Sequence, residues 1–210
     1  MILLGNASVS YNVRVAMKFE ERLCDRDAWS IGDGCSAERV LDLLSTKTVF
    51  LVVRESFYGV TRFEDFVTRI GTSAPAVSRA LKQLEAAGIV VRTPYREPGR
   101  RARDEYRLTA AGEDLLPVFM SLMQWGDKHL QDGCPPLLFV ETDTGRPVRV
   151  RVSADPTPET TSDHIEIRLN RAWRRDQGAS PMNRCRSTVT TEGRYGRRPR
   201  RRWPGGGAAV

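Results

Sequence analysis

The sequence predicts a mainly α-helical fold with a small β wing, α+β in class. Three observations predict it. Apolar residues recur at helical spacing through most of residues 37–131, two short β-prone runs at 89–93 and 104–109 flank a Pro98-Gly99 turn, and a long helical period resumes after them.

The elements follow in order. Ala37, Val40, Leu41 and Leu44 stand at i, i+3, i+4 and i+7, one face of a first helix. Residues 49–57 predict a second, more fully buried helix, and Gly59 ends it. Phe63, Phe66, Val67 and Ile70 share one face of a short third helix that stops at Gly71. Thr72 or Ser73 can cap a fourth, Pro75 suits its first turn because no intrahelical acceptor waits for an N–H there, and Val77, Leu81 and Leu84 form its inner stripe. After Gly88 comes the hairpin, and then a helix over 110–131 carrying Leu115, Leu116, Phe119, Leu122, Met123 and Leu130. Three helices, a tight turn, a helix, a hairpin and a long helix are the order of a winged helix-turn-helix.

Around that unit, residues 1–34 read as an N-terminal arm, of which 1–16 are a candidate extraneous extension, and 35–132 as the winged helix-turn-helix with its dimerisation helix. Residues 137–141, 148–152 and 165–169 predict short strands of a β appendage over 133–170. Residues 171–210 are rich in Arg, Gly, Ser and Pro, and too poor in apolar side chains to offset the entropy of ordering, which predicts a disordered Arg-rich tail.

Composition narrows the function. The chain has 40% hydrophobic and 28% charged residues, and no apolar run approaches the ~18 residues of a spanning helix, so no membrane partner and a cytoplasmic location are expected. Cys24, Cys35, Cys134 and Cys185 are too few and too scattered for a disulfide framework, so reduced thiols are expected. The formal charge of +7 is unevenly spread: residues 171–210 hold 11 Arg against Asp176 and Glu192, a net +9, and leave the rest at −2. Within that rest, residues 61–110 carry ten Arg and Lys against six acids. A basic window in an acidic body is what an electrostatic footprint for phosphate would produce, and double-stranded DNA is the expected partner.

The fourth helix carries the chemistry such a partner needs. Ser73, Pro75, Ala76, Ser78, Arg79, Lys82 and Gln83 lie off the apolar stripe, small or polar enough to approach base edges, and Arg79 can donate in a bidentate way to guanine. Arg96, Arg100, Arg101 and Arg103 cluster at the wing, with Arg62 before the third helix, where they would meet phosphate or a minor groove. The competing reading is a solvated amphipathic helix and a solvated turn.

The chain resembles the HxlR-type winged helix regulators. The resemblance spans Cys35 to about Leu130 and rests on Cys35 with Glu38 and Arg39, Lys47, residues 51–55, Gly59, Arg62 and Phe63, residues 81–88, Arg92, Tyr95, Glu105 and Tyr106, Leu108 and Thr109, Gly112, and residues 116–126. Ser36, Thr48 and Pro75 depart from the family pattern, and the wing is longer and richer in Arg, which implies an altered base preference. The resemblance implies a homodimer formed by terminal helices, here through Leu115, Phe119, Leu122 and Trp125, that reads a palindromic operator and acts as a repressor. It also makes Cys35 a candidate redox sensor and a small molecule or oxidant a candidate effector, an inert thiol being the alternative.

His129 and His164 stand apart, so no metal site is expected, and neither a cofactor nor catalysis is indicated, because no nucleophile, carboxylate pair or phosphate-binding Gly loop is in view. From a different class, a general nucleic-acid or ribosome-associated protein driven by the Arg-rich tail is the second reading.

Overall fold

A computed structural model of the chain describes residues 17–176 apart from 97, 100, 101, 132 and 155–158. The expectations for residues 1–16 and 177–210 lie outside the described residues. Four helices open the fold: α1 (Ser36–Leu43), α2 (Lys47–Phe57), α3 (Phe63–Ile70) and α4 (Ala74–Ala86). An antiparallel hairpin of β1 (Val90–Tyr95) and β2 (Arg103–Leu108) follows, then α5 (Ala110–Glu113) and α6 (Leu116–His129). A second antiparallel pair, β3 (Leu137–Glu141) and β4 (Ile165–Leu169), and α7 (Arg171–Asp176) complete it.

The core forms where α2, α3 and α4 meet. Thr46 starts α2 by accepting the N–H of Val49 at 3.2 Å, which satisfies a donor that has no partner within the helix. Val49, Val52 and Val53 then face inward against Phe66 of α3 and against Val77, Leu81 and Leu84 of α4, all at most 2% exposed. Each such side chain contributes on the order of 1.5–3 kcal/mol by leaving water. Gly71 takes a φ of +68° at the end of α3, the left-handed conformation that lets the chain turn at once into α4.

The wing is fastened on two sides. The Ile89 N–H donates to Leu84 O at 2.9 Å and the Thr109 N–H to Ile89 O at 3.0 Å, which ties the hairpin's base to the end of α4. The Tyr106 N–H donates to Thr61 O at 2.7 Å, and Arg62 bridges to Glu105, so β2 also pairs with the stretch before α3. Beside this base, a Cβ on Gly112 would stand 2.3 Å from the carbonyl oxygen of Ile89, so only glycine permits so close an approach of α5 to the wing.

Several expectations are corrected. The helix expected over 110–131 is two helices, because Pro117 falls in the first turn of α6, where it lacks an N–H and disfavours helical backbone before it. Residues 148–152 form no strand. Only the start of this stretch touches β3, where the Val148 N–H donates to Phe139 O at 2.9 Å; further on a side chain meets the backbone, with Gln124 Nε2 donating to Val150 O at 3.1 Å and Gln124 Oε1 accepting from Val150 N at 3.2 Å. The tail begins with α7 rather than disorder, since Asn170 Oδ1 accepts the Ala172 N–H at 3.1 Å while its Nδ2 donates to Pro135 O at 2.8 Å. Cys134 is disulfide-bonded, not a reduced thiol, because a pair needs only to close in space and sequence spacing does not reveal it. Cys24 and Cys35 are free. The apolar face of α1 is only half used: Leu43 and Leu44 at its end pack on the core, whereas Val40 and Leu41 are 39% and 68% exposed.

Candidate nucleic-acid interface

Because the inner face of α4 is spent on the core, its other face is fixed outward. Ser73, Pro75, Arg79 and Lys82 are exposed, while Ala76 and Ser78 are half-buried beside them. Ser73 precedes the helix with extended backbone, and its carbonyl accepts the N–H groups of Ala76 and Val77, while its hydroxyl makes no capping bond. That hydroxyl is therefore available to a ligand. Among the described residues, the side chains of Arg79 and Lys82 take part in no ion pair or hydrogen bond. Gln83, expected on the outer face, turns back instead, and its Nε2 donates to Leu43 O at 2.8 Å at the end of α1.

The basic residues of the wing are engaged more than the sequence suggested. Arg62 lays its guanidinium 4.8 Å from the Tyr95 ring centroid, which holds the entrance of α3 against β1. Arg103 reaches Glu64 of α3 at 3.2 Å, with both side chains more than half exposed. Such a pair is worth about 0–1 kcal/mol, little enough for a phosphate to displace the carboxylate. Arg92 lies between Glu85 at 3.4 Å and Asp104 at 3.6 Å, and Arg107 holds Glu105 at 2.8 Å. Arg96 is exposed, and Arg100 and Arg101 lie outside the described residues. Burial pushes the Tyr106 hydroxyl above its usual pKa, so it stays a neutral group beside Arg92.

The residues expected at a dimer interface divide. Phe119 is 2% exposed and stacks on Phe57 at 5.4 Å, with Phe139 of the appendage edge-on at 6.1 Å, so it serves the interior of its own chain. Leu115 is half-buried against the same core as α2 and α4. This corrects the expectation for Phe119, which Phe139 of β3 covers on that side of α6. Leu122 and Trp125, at 52% and 57% exposed, continue a stripe that begins at Val118. Sequence reasoning did not single out Val118, although its spacing of four and seven residues from Leu122 and Trp125 was the available signal.

Cys35 precedes α1 as its half-buried N-terminal neighbour with a free thiol. Among the described residues, no group of three or more His, Cys, Asp and Glu side chains is placed to hold a metal ion. No described helix is long and apolar enough to cross a membrane.

Comparison with known proteins draws on this same region. The HxlR-like helix-turn-helix model matches residues 43–133. An uncharacterized HTH-type transcriptional regulator of Synechocystis is 36% identical over 105 residues, which cover 49% of this chain and 76% of the relative. The chain belongs to the HxlR-like helix-turn-helix family. A second relative, an uncharacterized HTH-type transcriptional regulator of Mycobacterium tuberculosis, is 40% identical over 98 residues, covering 47% of this chain and 61% of the relative. This chain thus spans about three fifths of the mycobacterial protein. Among solved structures, PA1607, a candidate transcription factor, superposes with a TM-score of 0.52 at 32% identity, covering 59% of this chain and 87% of PA1607. The winged helix-turn-helix order expected from the sequence is the HxlR-like fold.

Proposed function

We propose that this chain is a DNA-binding transcriptional regulator that lays α4 in a major groove, sets the β1–β2 wing on the neighbouring backbone, and works as a homodimer repressing from a two-fold operator. The observation that carries the proposal is the state of Arg79 and Lys82: exposed and, among the described residues, unpaired, on a helix whose opposite face is core. An arginine so placed can donate two bonds to guanine, and the adjacent Ser and Ala side chains are small enough for the close approach this requires. The names of the Synechocystis and mycobacterial relatives support the reading.

Two exposed apolar stripes support the dimer, one on α6 at Val118, Leu122 and Trp125, the other on α1 at Val40 and Leu41. Both belong to terminal helices of the unit, and a dimer of this kind reads half-sites about 34 Å, or a multiple, apart. Control by an oxidant or a small molecule completes the proposal, with the free thiol of Cys35 as the candidate point of oxidation.

Selection from a random pool of duplexes with the full chain tests it. The expected result is enrichment of one two-fold symmetric sequence. Retention of duplexes with no enriched sequence, or no retention at all, would overturn the regulator reading.

A further inference from the structure

An open cleft of about 620 Å³ lies between the start of α6 and two stretches of the appendage, 148–151 and 159–162. That volume is within the range of about 300–1,000 Å³ common for small-molecule sites. Its floor is apolar, with Leu116, Met120 and Ile165 contributing, and these side chains also line a crevice of about 20 Å³ that reaches Phe57 and Phe139. One wall is held in place by the two-point grip of Gln124 on Val150.

The rim carries both signs of charge. Arg149 and Arg151 line it, and so do Asp114 and Glu159, yet among the described residues no ion pair joins any of the four. Glu113, also on the rim, is already taken by the Ser162 hydroxyl, which donates to it at 2.6 Å. Opposite charges that share a cleft without neutralising each other complement a ligand that is itself dipolar. A singly charged ligand would meet only one of the two signs, and a neutral one neither.

We propose that this cleft binds a small zwitterion with an apolar side chain, of the amino-acid or short-peptide class. The carboxylate meets Arg149 and Arg151, the ammonium meets Asp114 and Glu159, and the side chain rests on the apolar floor. Glu113 and Asp114 on the rim end α5, whose Gly112 packs on the base of the wing, so an occupant touches the element that anchors the wing. Use of this site to control DNA binding rests on the function proposed above, whereas binding itself does not.

Isothermal titration of the full chain with the dipeptide Leu-Phe, and separately with L-phenylalanine, tests the site and tells the two sources apart. Saturable binding of at least one probe is expected. Capping both ends of that probe, by acetylation and amidation, and the double substitution R149A/R151A are each expected to weaken it by about tenfold or more. The four rim side chains are exposed, so the fold is expected to persist, and circular dichroism checks this. Should R149A/R151A fail to fold, D114N/E159Q gives the same test from the other side of the cleft. No saturable binding of either probe, equal binding of the capped form, or binding that survives the rim substitutions would overturn the proposal. Loss of binding in Leu122→Glu would likewise overturn it by placing the probe on the α6 stripe. DNA affinity is measured separately, so failure here leaves the regulator reading standing, and the reverse.

Discussion

Gln83 of α4 closes the end of α1, its side-chain amide donating to the carbonyl oxygen of Leu43 at 2.8 Å. The last carbonyls of a helix have no partner within it, and here a residue forty positions away supplies one. Gln83→Ala is expected to lower the stability of the chain by about 1 kcal/mol. Urea denaturation followed by circular dichroism measures this, and an unchanged midpoint would show that the contact contributes nothing.

A second test concerns steric fit at the base of the wing. In Gly112→Ala the new Cβ would stand 2.3 Å from Ile89 O and 2.9 Å from the Leu108 side chain, and the backbone carbonyl cannot turn aside without loosening the hairpin's base. A loss of about 1–3 kcal/mol is expected. Gly126→Ala, on α6 with nothing within 4 Å of the added Cβ, is the contrast and is expected to gain up to about 1 kcal/mol. Thermal melts of the two variants should move in opposite directions, and a shared direction would refute the argument.

The elements that sequence periodicity could reach were legible. The inner stripe Val77, Leu81 and Leu84 fixed which face of α4 looks outward, and the Pro98-Gly99 turn placed the hairpin. Strands at 137–141 and 165–169 stand at the positions read from their apolar runs. What was not legible depends on partners distant in sequence. Nothing local tells that Gln83 turns inward, that Phe119 is covered by Phe139, or that Gln124 meets the backbone of Val150. The wing arginines were read from composition alone, and composition does not reveal that Glu64 already holds Arg103.

Asp127 gives a prediction in pH. Burial raises its carboxyl above the usual range, so the ionised form is the one the folded state disfavours. The folded chain therefore binds this proton more tightly than the unfolded chain, and stability falls as pH rises from the unfolded value through the folded one. Asp127→Asn is expected to raise Tm at pH 7 and to leave it unchanged near about pH 3, where the carboxyl is protonated in both states. A Tm at pH 7 equal to or below that of the unaltered chain would contradict this.

The exposed stripe of α6 and the buried ring beside it should respond differently to substitution. Leu122→Glu puts a charge on a half-exposed surface and is expected to convert a dimer to a monomer while the fold persists, read by sedimentation velocity. Phe119→Ala is expected to cost about 3–5 kcal/mol of stability, because it empties a site packed by Phe57 and Phe139. A monomeric unaltered chain, or a dimer unaffected by Leu122→Glu, would remove this stripe from the interface.

The central claim is that the outer face of α4 reads base edges, and one titration addresses it most directly. Fluorescence anisotropy compares the full chain with Arg79→Ala, each on the selected duplex and on a scrambled duplex of the same length, at one fixed salt concentration. Arg79→Ala is expected to lose about 1–3 kcal/mol on the selected duplex and nearly nothing on the scrambled one. Equal losses on both duplexes, or none on either, would contradict it.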